Sequence, residues 1–384
     1  MLRNARRAAL IATGLLLAAC AAPAAHDGPP EPFLAAPRIE LQQVFAGGRF
    51  PNAVVTREGT VLLTWGASAV RARRSEDGGA TFGPEIDVAD PGFQGGGTTV
   101  DEESGDVLAF VEAGHPPAAI TVYRSEDDGR TWLAEDATVH PDRFGNAPSM
   151  HMNEHGITLR RGRHAGRLLR PSRWYAGANE RERWPDHYTN AIYSDDGGRT
   201  WSTSDPFPEN GTGEAAVAEL RSGRIYYNSR VHWEERPDNT RRRAAWSDDG
   251  GETWTGWHVV DVLPDGHQHR SYGCMGGLVR LPIEGEDVLL FSNLDTANAT
   301  RERVTVWASF DGGRTWPAKR LVFEGASAYS SLAAGRPGTP SEGWVYLLFE
   351  GGPEGGGTIA RFRLSWLLAG ERTGDGSVPQ RFLR

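Results

Sequence analysis

The apolar positions of this chain come in short runs rich in β-branched and aromatic residues, cut off by Gly, Asp, Asn or Pro. Ala119 to Tyr123 and Val304 to Trp307 are examples. Runs of that kind predict strands rather than helices, and the frequent glycines predict tight turns between them.

A polar octapeptide follows such runs five times. The copies are Ser75, Asp77, Gly79, Thr81, Phe82; Ser125, Asp127, Gly129, Thr131, Trp132; Ser194, Asp196, Gly198, Thr200, Trp201; Ser247, Asp249, Gly251, Thr253, Trp254; and Ser309, Asp311, Gly313, Thr315, Trp316. They start 50, 69, 53 and 62 residues apart and share the pattern S-x-D-x-G-x-T-[WF]. The Asp can bond back to local backbone N–H groups, and the Gly tolerates positive φ. The aromatic residue then anchors the hairpin in a core. Each unit reads as a hairpin stapled by its own turn, so these aspartates are structural. Repeats of this period with four strands each predict propeller blades. The expected fold is all-β, a six-bladed β-propeller over residues 39–372 with about 58 residues per blade. Residues 373–384 are left as a C-terminal tail.

The N-terminus reads differently. Arg3, Arg6 and Arg7 precede an apolar stretch from Ala8 to Ala19, too short to span a bilayer and typical of a secretory signal. It ends in Leu17-Ala18-Ala19-Cys20, which resembles the bacterial lipobox. That resemblance implies lipidation of Cys20, a signal over residues 1–20, and anchorage at the bacterial cell envelope; a soluble secreted or periplasmic protein is the alternative. Residues 21–38, rich in Pro and Ala, read as a tether.

Composition narrows the rest. With 384 residues, 39% hydrophobic and 24% charged, the chain has the means for a sizeable core. A net charge of -9 speaks against a nucleic-acid partner, which needs a cationic face. Two cysteines provide neither a disulfide framework nor a thiolate metal cluster, and Cys274 reads as an inert buried thiol. No phosphate loop or dinucleotide fingerprint is present, so no cofactor is expected. His267 and His269 lack an acidic neighbour and read as loop residues, not metal ligands. The run Arg241 to Arg243 reads as a solvated face.

The octapeptide is the Asp-box, shared by several kinds of propeller. The segments between the boxes are more specific, and in their order they resemble the sialidase (neuraminidase) superfamily from about residue 45 to 365. The carrying segments are Arg49-Phe50-Pro51, Glu214 to Leu220 with Asn228-Ser229-Arg230, Phe291-Ser292-Asn293 with Arg301 and Thr305, Ala328-Tyr329-Ser330-Ser331, and Leu347 to Glu350. The resemblance implies a retaining exo-sialidase that removes terminal sialic acid, or a related nonulosonic acid, from sialylated glycans or glycoconjugates; the chain is expected to be a monomer. It casts Tyr329 as nucleophile and Glu214 as its base. Arg49, Arg230 and Arg301 become the carboxylate-binding triad, and Glu350 the support of Arg49. Arg303 is an alternative to Arg301, and Glu219 to Glu214. The small residues around Tyr329 predict an exposed loop, and Gly211-Thr212-Gly213 predicts that Glu214 begins one. Physically, clustered guanidiniums predict an anionic ligand. A neutral phenol is the nucleophile suited to a substrate that already bears a carboxylate, provided a base stands beside it.

The chain departs from the family at one point. The family's acid/base Asp belongs between the first Arg and the first Asp-box, but Phe50 to Arg74 holds only Glu58 as an acid. His115, Asp101, Asp186 and His187 are substitutes elsewhere, Asp101 reading as a turn residue. Without an acid the alternative function is a non-catalytic propeller that binds carboxylated glycans.

Overall fold

The computed structural model describes residues 31–232, 240–266, 273–296 and 300–383. The signal, Cys20, residues 21–30 of the tether, and the pair His267 and His269 lie outside the described residues.

The strands form antiparallel sheets in a propeller arrangement. The first sheet holds Pro51–Val55, Val61–Trp65, Val70–Ser75 and Ile86–Ala89. The second holds Phe93–Val100, Val107–Glu112, Ile120–Ser125 and Leu133–Glu135. Ile157–Thr158, Leu168–Trp174, Tyr188–Ser194 and Thr200–Thr203 make the third, with Thr138–Val139 added in parallel at its edge. The fourth holds Thr212–Glu219, Ile225–Val231, Arg241–Ser247 and Thr255–Pro264.

The last sheet has eight strands, and here the expectation of six separate blades needs correction: the described residues form five hydrogen-bonded sheets. The reason is one strand, Ala318–Ala334, 17 residues long. Its first part pairs with Glu302–Ser309 and its second with Val345–Gly351, so hydrogen bonding runs without a break where a loop was expected. Ile39–Phe45 pairs with Gly357–Phe362 and so joins the start of the body to its end.

The innermost strands pack side by side about a common axis. Pro51–Val55 lies beside Phe93–Val100, and the second part of Ala318–Ala334 returns to Pro51–Val55. Each sheet is covered on both faces by its neighbours, which is why Pro51–Val55 and Val61–Trp65 are buried throughout instead of alternating.

The Asp-box turns close as their residue types dictate. In the third copy Thr200 Oγ1 and Ser194 Oγ donate to Asp196 at 2.7 Å each, and the Thr200 amide adds a third bond at 2.9 Å. Gly198 has φ +91, and a Cβ there would stand 2.4 Å from Leu108, so only Gly fits. Trp201 and Trp316 are wholly buried.

Both ends of the body pack more than the sequence suggested. Phe33 is buried and the Pro32 carbonyl accepts from Arg363, so residues 32–34 belong to the body rather than hang free. At the other end Asp375 accepts the Trp316 amide and Phe382 is buried. The run Arg241 to Arg243 is not a solvated face either. Arg242 and Arg243 are buried, held by Asp265 and Glu209, because their strand belongs to the fourth sheet, which packs against a neighbouring sheet on each face.

Candidate active site

All the family-matched residues gather at one end of the axis. They sit where innermost and third strands begin and second strands end, opposite the Asp-box turns. Arg49 precedes Pro51–Val55, Arg230 lies near the end of Ile225–Val231, and Arg301 precedes Glu302–Ser309. Glu350 lies near the end of Val345–Gly351.

Two residues are aimed by β-bulges, not by loops. The pairing of Thr212–Glu219 slips between Thr212 and Ala215, and Glu214 stands in that slip. The pairing of Ala318–Ala334 slips between Ser327 and Ser330, and Tyr329 stands in that one. A bulge breaks strict alternation and turns a side chain toward the axis. Tyr329 is therefore on a strand and only 7% exposed, a correction to the expected exposed loop. Small residues beside it serve close strand packing. Phe50 carries φ +78, a left-handed conformation rare for an aromatic residue, and its amide donates to Glu350 Oε1 at 3.1 Å.

The centre is a hydroxyl and a carboxylate. The Tyr329 hydroxyl donates to Glu214 Oε1 at 3.2 Å, and Arg230 Nη1 donates to the phenol oxygen at 3.4 Å. Arg230 also pairs with Glu214 Oε2, and Arg173 Nη1 lies 3.8 Å from Oε1. Burial pushes the Glu214 carboxyl up, but the guanidiniums of Arg230 and Arg173 outweigh it and hold the group at about 2. Burial, with the charge of Glu214, raises Tyr329 above its ordinary value.

The triad surrounds the Tyr329 ring. The Arg49 and Arg301 guanidinium carbons lie 5.1 and 5.0 Å from its centroid. Glu350 grips Arg49 with two bonds of 3.1 Å. Arg301 forms no ion pair among the described residues. Four guanidiniums (Arg49, Arg173, Arg230, Arg301) thus face two carboxylates, Glu214 and Glu350. That excess of positive charge suits the site to an anion.

The alternatives lie elsewhere. Arg303 turns to Glu324 and the Asp295 carbonyl. Glu219 accepts the amides of Arg160 and Arg161 at the far end of the axis, where a cavity of about 730 Å³ opens. That cavity is larger than the one at Tyr329, about 160 Å³, but holds no hydroxyl–carboxylate pair. Asp101 is a turn residue bonded to the Glu103 amide and Ser104, and Asp186 pairs with Arg183 on an exposed 3-10 turn. Glu58 falls in the turn between Val55 and Val61, at the far end. His115 lines the Tyr329 cavity, whereas His187 lies under it against Arg173.

Sequence reasoning missed Arg173, His151, His232, Tyr175 and Trp184, all lining this cavity. Arg173 was one of 40 arginines, the 41 basic residues less Lys319, with no motif of its own. Nothing in the segment Leu168–Trp174 singled it out. Among the described residues no cluster fits a metal ion.

Comparison with known proteins bears on the family and the fold. The BNR repeat-like domain family matches residues 94–340. A sialidase of Micromonospora viridifaciens is 31% identical over 372 residues, covering 86% of this chain and 53% of the relative. A sialidase of Vibrio cholerae serotype O1 is 28% identical over 222 residues, covering 49% and 26%. The chain thus spans about half of the first relative's length and about a quarter of the second's. A solved Hadza microbial sialidase superposes with a TM-score of 0.63 at 26% identity, covering 83% of this chain and 66% of that one. The intramolecular trans-sialidase of Ruminococcus gnavus shares the fold, with a TM-score of 0.63 at 16% identity over 84% and 97% of the two chains. On repeat, sequence and fold together, the chain belongs to the BNR repeat-like domain family, as a propeller of the sialidase superfamily.

Proposed function

We propose that this protein is an exo-acting sialidase-type glycosidase that removes a terminal sialic acid, or a related nonulosonic acid, with retention. The observation that carries this reading is the 3.2 Å hydrogen bond from Tyr329 to Glu214 inside a ring of guanidiniums that outnumber the carboxylates. Relatives named as sialidases supply the substrate class.

On this reading each residue of the cavity has its own task. Arg301, with Arg49 and Arg230, takes the carboxylate that sialic acids bear on the anomeric carbon. Glu350 holds Arg49 in place. A carboxylate nucleophile would be repelled by that substrate; the neutral phenol of Tyr329 is not. In the free site Glu214 is a poor base, because Arg230 and Arg173 keep it ionised. A substrate carboxylate on Arg230 draws off part of that charge and returns basicity to Glu214, so binding and activation of Tyr329 are coupled.

A fluorinated sialyl donor, which slows breakdown of a glycosyl-tyrosine, is expected to label Tyr329, and Glu214→Gln to prevent labelling. If the wild-type protein binds sialic acid yet never acquires the label, even from a donor with an activated leaving group, the hydrolase reading is wrong. The non-catalytic glycan-binding propeller then takes its place.

The eight-stranded sheet does the work of two blades divided within Ala318–Ala334, which makes six around the axis. The protein is held at the cell envelope by a lipid on Cys20; Cys20→Ser is expected to move it from the membrane fraction to the soluble fraction. Unlipidated, fully soluble wild-type protein would show the lipobox reading wrong.

A further inference from the structure

A phenol nucleophile and its base do not suffice for an unactivated glycoside, because the departing alkoxide needs a proton. Among the described residues lining the Tyr329 cavity there is no aspartate, and the carboxylate there is Glu214, already committed to Arg230 and Tyr329. The remaining proton carriers in the lining besides Tyr175 are three imidazoles, of His115, His151 and His232.

Their surroundings separate them. Arg173 Nη2 lies 2.9 Å from His232 Nδ1 and 3.4 Å from His187 Nδ1. A guanidinium only donates, so both nitrogens accept and both rings are neutral; a proton there would set a second cation against Arg173. His151 is enclosed, 5% exposed, and its Nδ1 has no hydrogen-bond partner. Burial drives His151 and His232 well below their ordinary values, and lowers His187 to about 3.

His115 differs on each count. It is exposed and forms no ion pair among the described residues. Its Nδ1 faces the Pro116 carbonyl at 3.1 Å, and a carbonyl only accepts. Nδ1 therefore carries a fixed proton, and Nε2 is left to hold and release another. Three rings frame it: Phe93 with centroids 5.7 Å apart, His151 at 5.0 Å and Tyr175 at 6.3 Å. The titratable rings packed against it are His151 and Tyr175, and the charged group behind Tyr175 is Arg173, 4.1 Å from the Tyr175 ring.

We infer that His115 is the general acid and base of this enzyme, standing in for the aspartate that the segment Phe50 to Arg74 lacks. This rests on the hydrolase reading above. In the first step Tyr329 oxygen bonds to the anomeric carbon as the glycosidic bond breaks. The phenol proton passes to Glu214, and His115 Nε2 gives its proton to the departing oxygen, releasing an alcohol. In the second step neutral His115 takes a proton from water as that water attacks the anomeric carbon. The bond to Tyr329 breaks, and the phenol recovers its proton from Glu214. One water is consumed and every residue returns to its starting state.

The test compares wild type and His115→Gln on a nitrophenyl sialoside, whose leaving group scarcely needs a proton, and on a sialyllactose, whose leaving group does. His115→Gln is expected to lower kcat/KM on sialyllactose by about two to four orders of magnitude. The nitrophenyl substrate should lose far less. The acid role needs a proton on the ring, so wild type on sialyllactose is expected to lose rate on the alkaline side, and in His115→Gln that alkaline limb disappears. His115→Asp should restore part of the lost rate with its limb moved to lower pH. Equal losses on both substrates, or an unchanged alkaline limb, would overturn the assignment. If wild type cleaves neither substrate, the hydrolase reading itself fails instead.

Discussion

The two ends of the propeller use similar chemical groups and reach opposite outcomes. At one end five aspartates each meet a serine or threonine hydroxyl; at the other, Glu214 meets the hydroxyl of Tyr329. In the Asp-boxes every partner lies within four residues of the Asp, as with Thr81 and Ser75 on Asp77. The carboxylate is satisfied locally, and the turn has nothing left to bind. In the cavity the partners are 115 residues apart for Tyr329 and Glu214, and 301 apart for Arg49 and Glu350. Guanidiniums there exceed carboxylates, so the site is incomplete without an anion. Local closure makes a staple, and long-range convergence with unbalanced charge makes a site.

That contrast can be broken from either side. The largest effect is expected from Tyr329→Phe. Loss of the nucleophile should cost on the order of a thousandfold or more in kcat, with binding of a carboxylated sugar retained. Retained turnover in single-turnover kinetics would remove Tyr329 from the chemistry. Next, Arg301→Ala removes the guanidinium that has no carboxylate partner among the described residues. A charge-assisted bond is worth about 1.5–3 kcal/mol, so affinity for sialic acid should fall roughly 10- to 150-fold. Calorimetry on the folded variant checks it, and unchanged affinity would break the triad.

The Asp-box end should respond in stability alone. Asp196→Ala is expected to cost about 1–2 kcal/mol in denaturant unfolding, as lost cap-type bonds do, with kcat/KM unchanged. A loss of activity without a loss of stability would reverse the roles of the two ends. The same end sets an acid limit. Asp77 and Asp127 are partly desolvated, which raises them, but hydroxyl and amide bonds outweigh this and hold both at about 2. A depressed folded pKa gives stability that is present above the ordinary carboxylate value of about 3.9 and lost as pH falls toward 2. Thermal melts should fall through that window in wild type and fall less steeply in Asp77→Asn. Smallest of all, Glu219→Gln at the far mouth should change stability by under about 1 kcal/mol and leave kinetics alone.

The Asp-box turns and the strands before them were legible in the sequence because their physics is local. Ser, Asp, Gly and Thr in fixed order dictate a turn wherever they occur, so the all-β propeller arrangement followed from spacing. The gathering of Arg49, Glu214, Arg230, Arg301, Tyr329 and Glu350 was legible through motif resemblance, not through any property of an isolated residue. Other features were decided only when the sheets closed. The fusion of two strand groups through Ala318–Ala334 depends on backbone pairing that no turn signal announced. The bulges that aim Glu214 and Tyr329 are register slips between strands, and register belongs to the pair rather than to either strand. Arg173, Arg242 and Arg243 read as ordinary arginines until burial made their charges require partners. His115 and His232 carry the same side chain; Arg173 beside one and the Pro116 carbonyl beside the other decide which ring can carry a proton into the cavity.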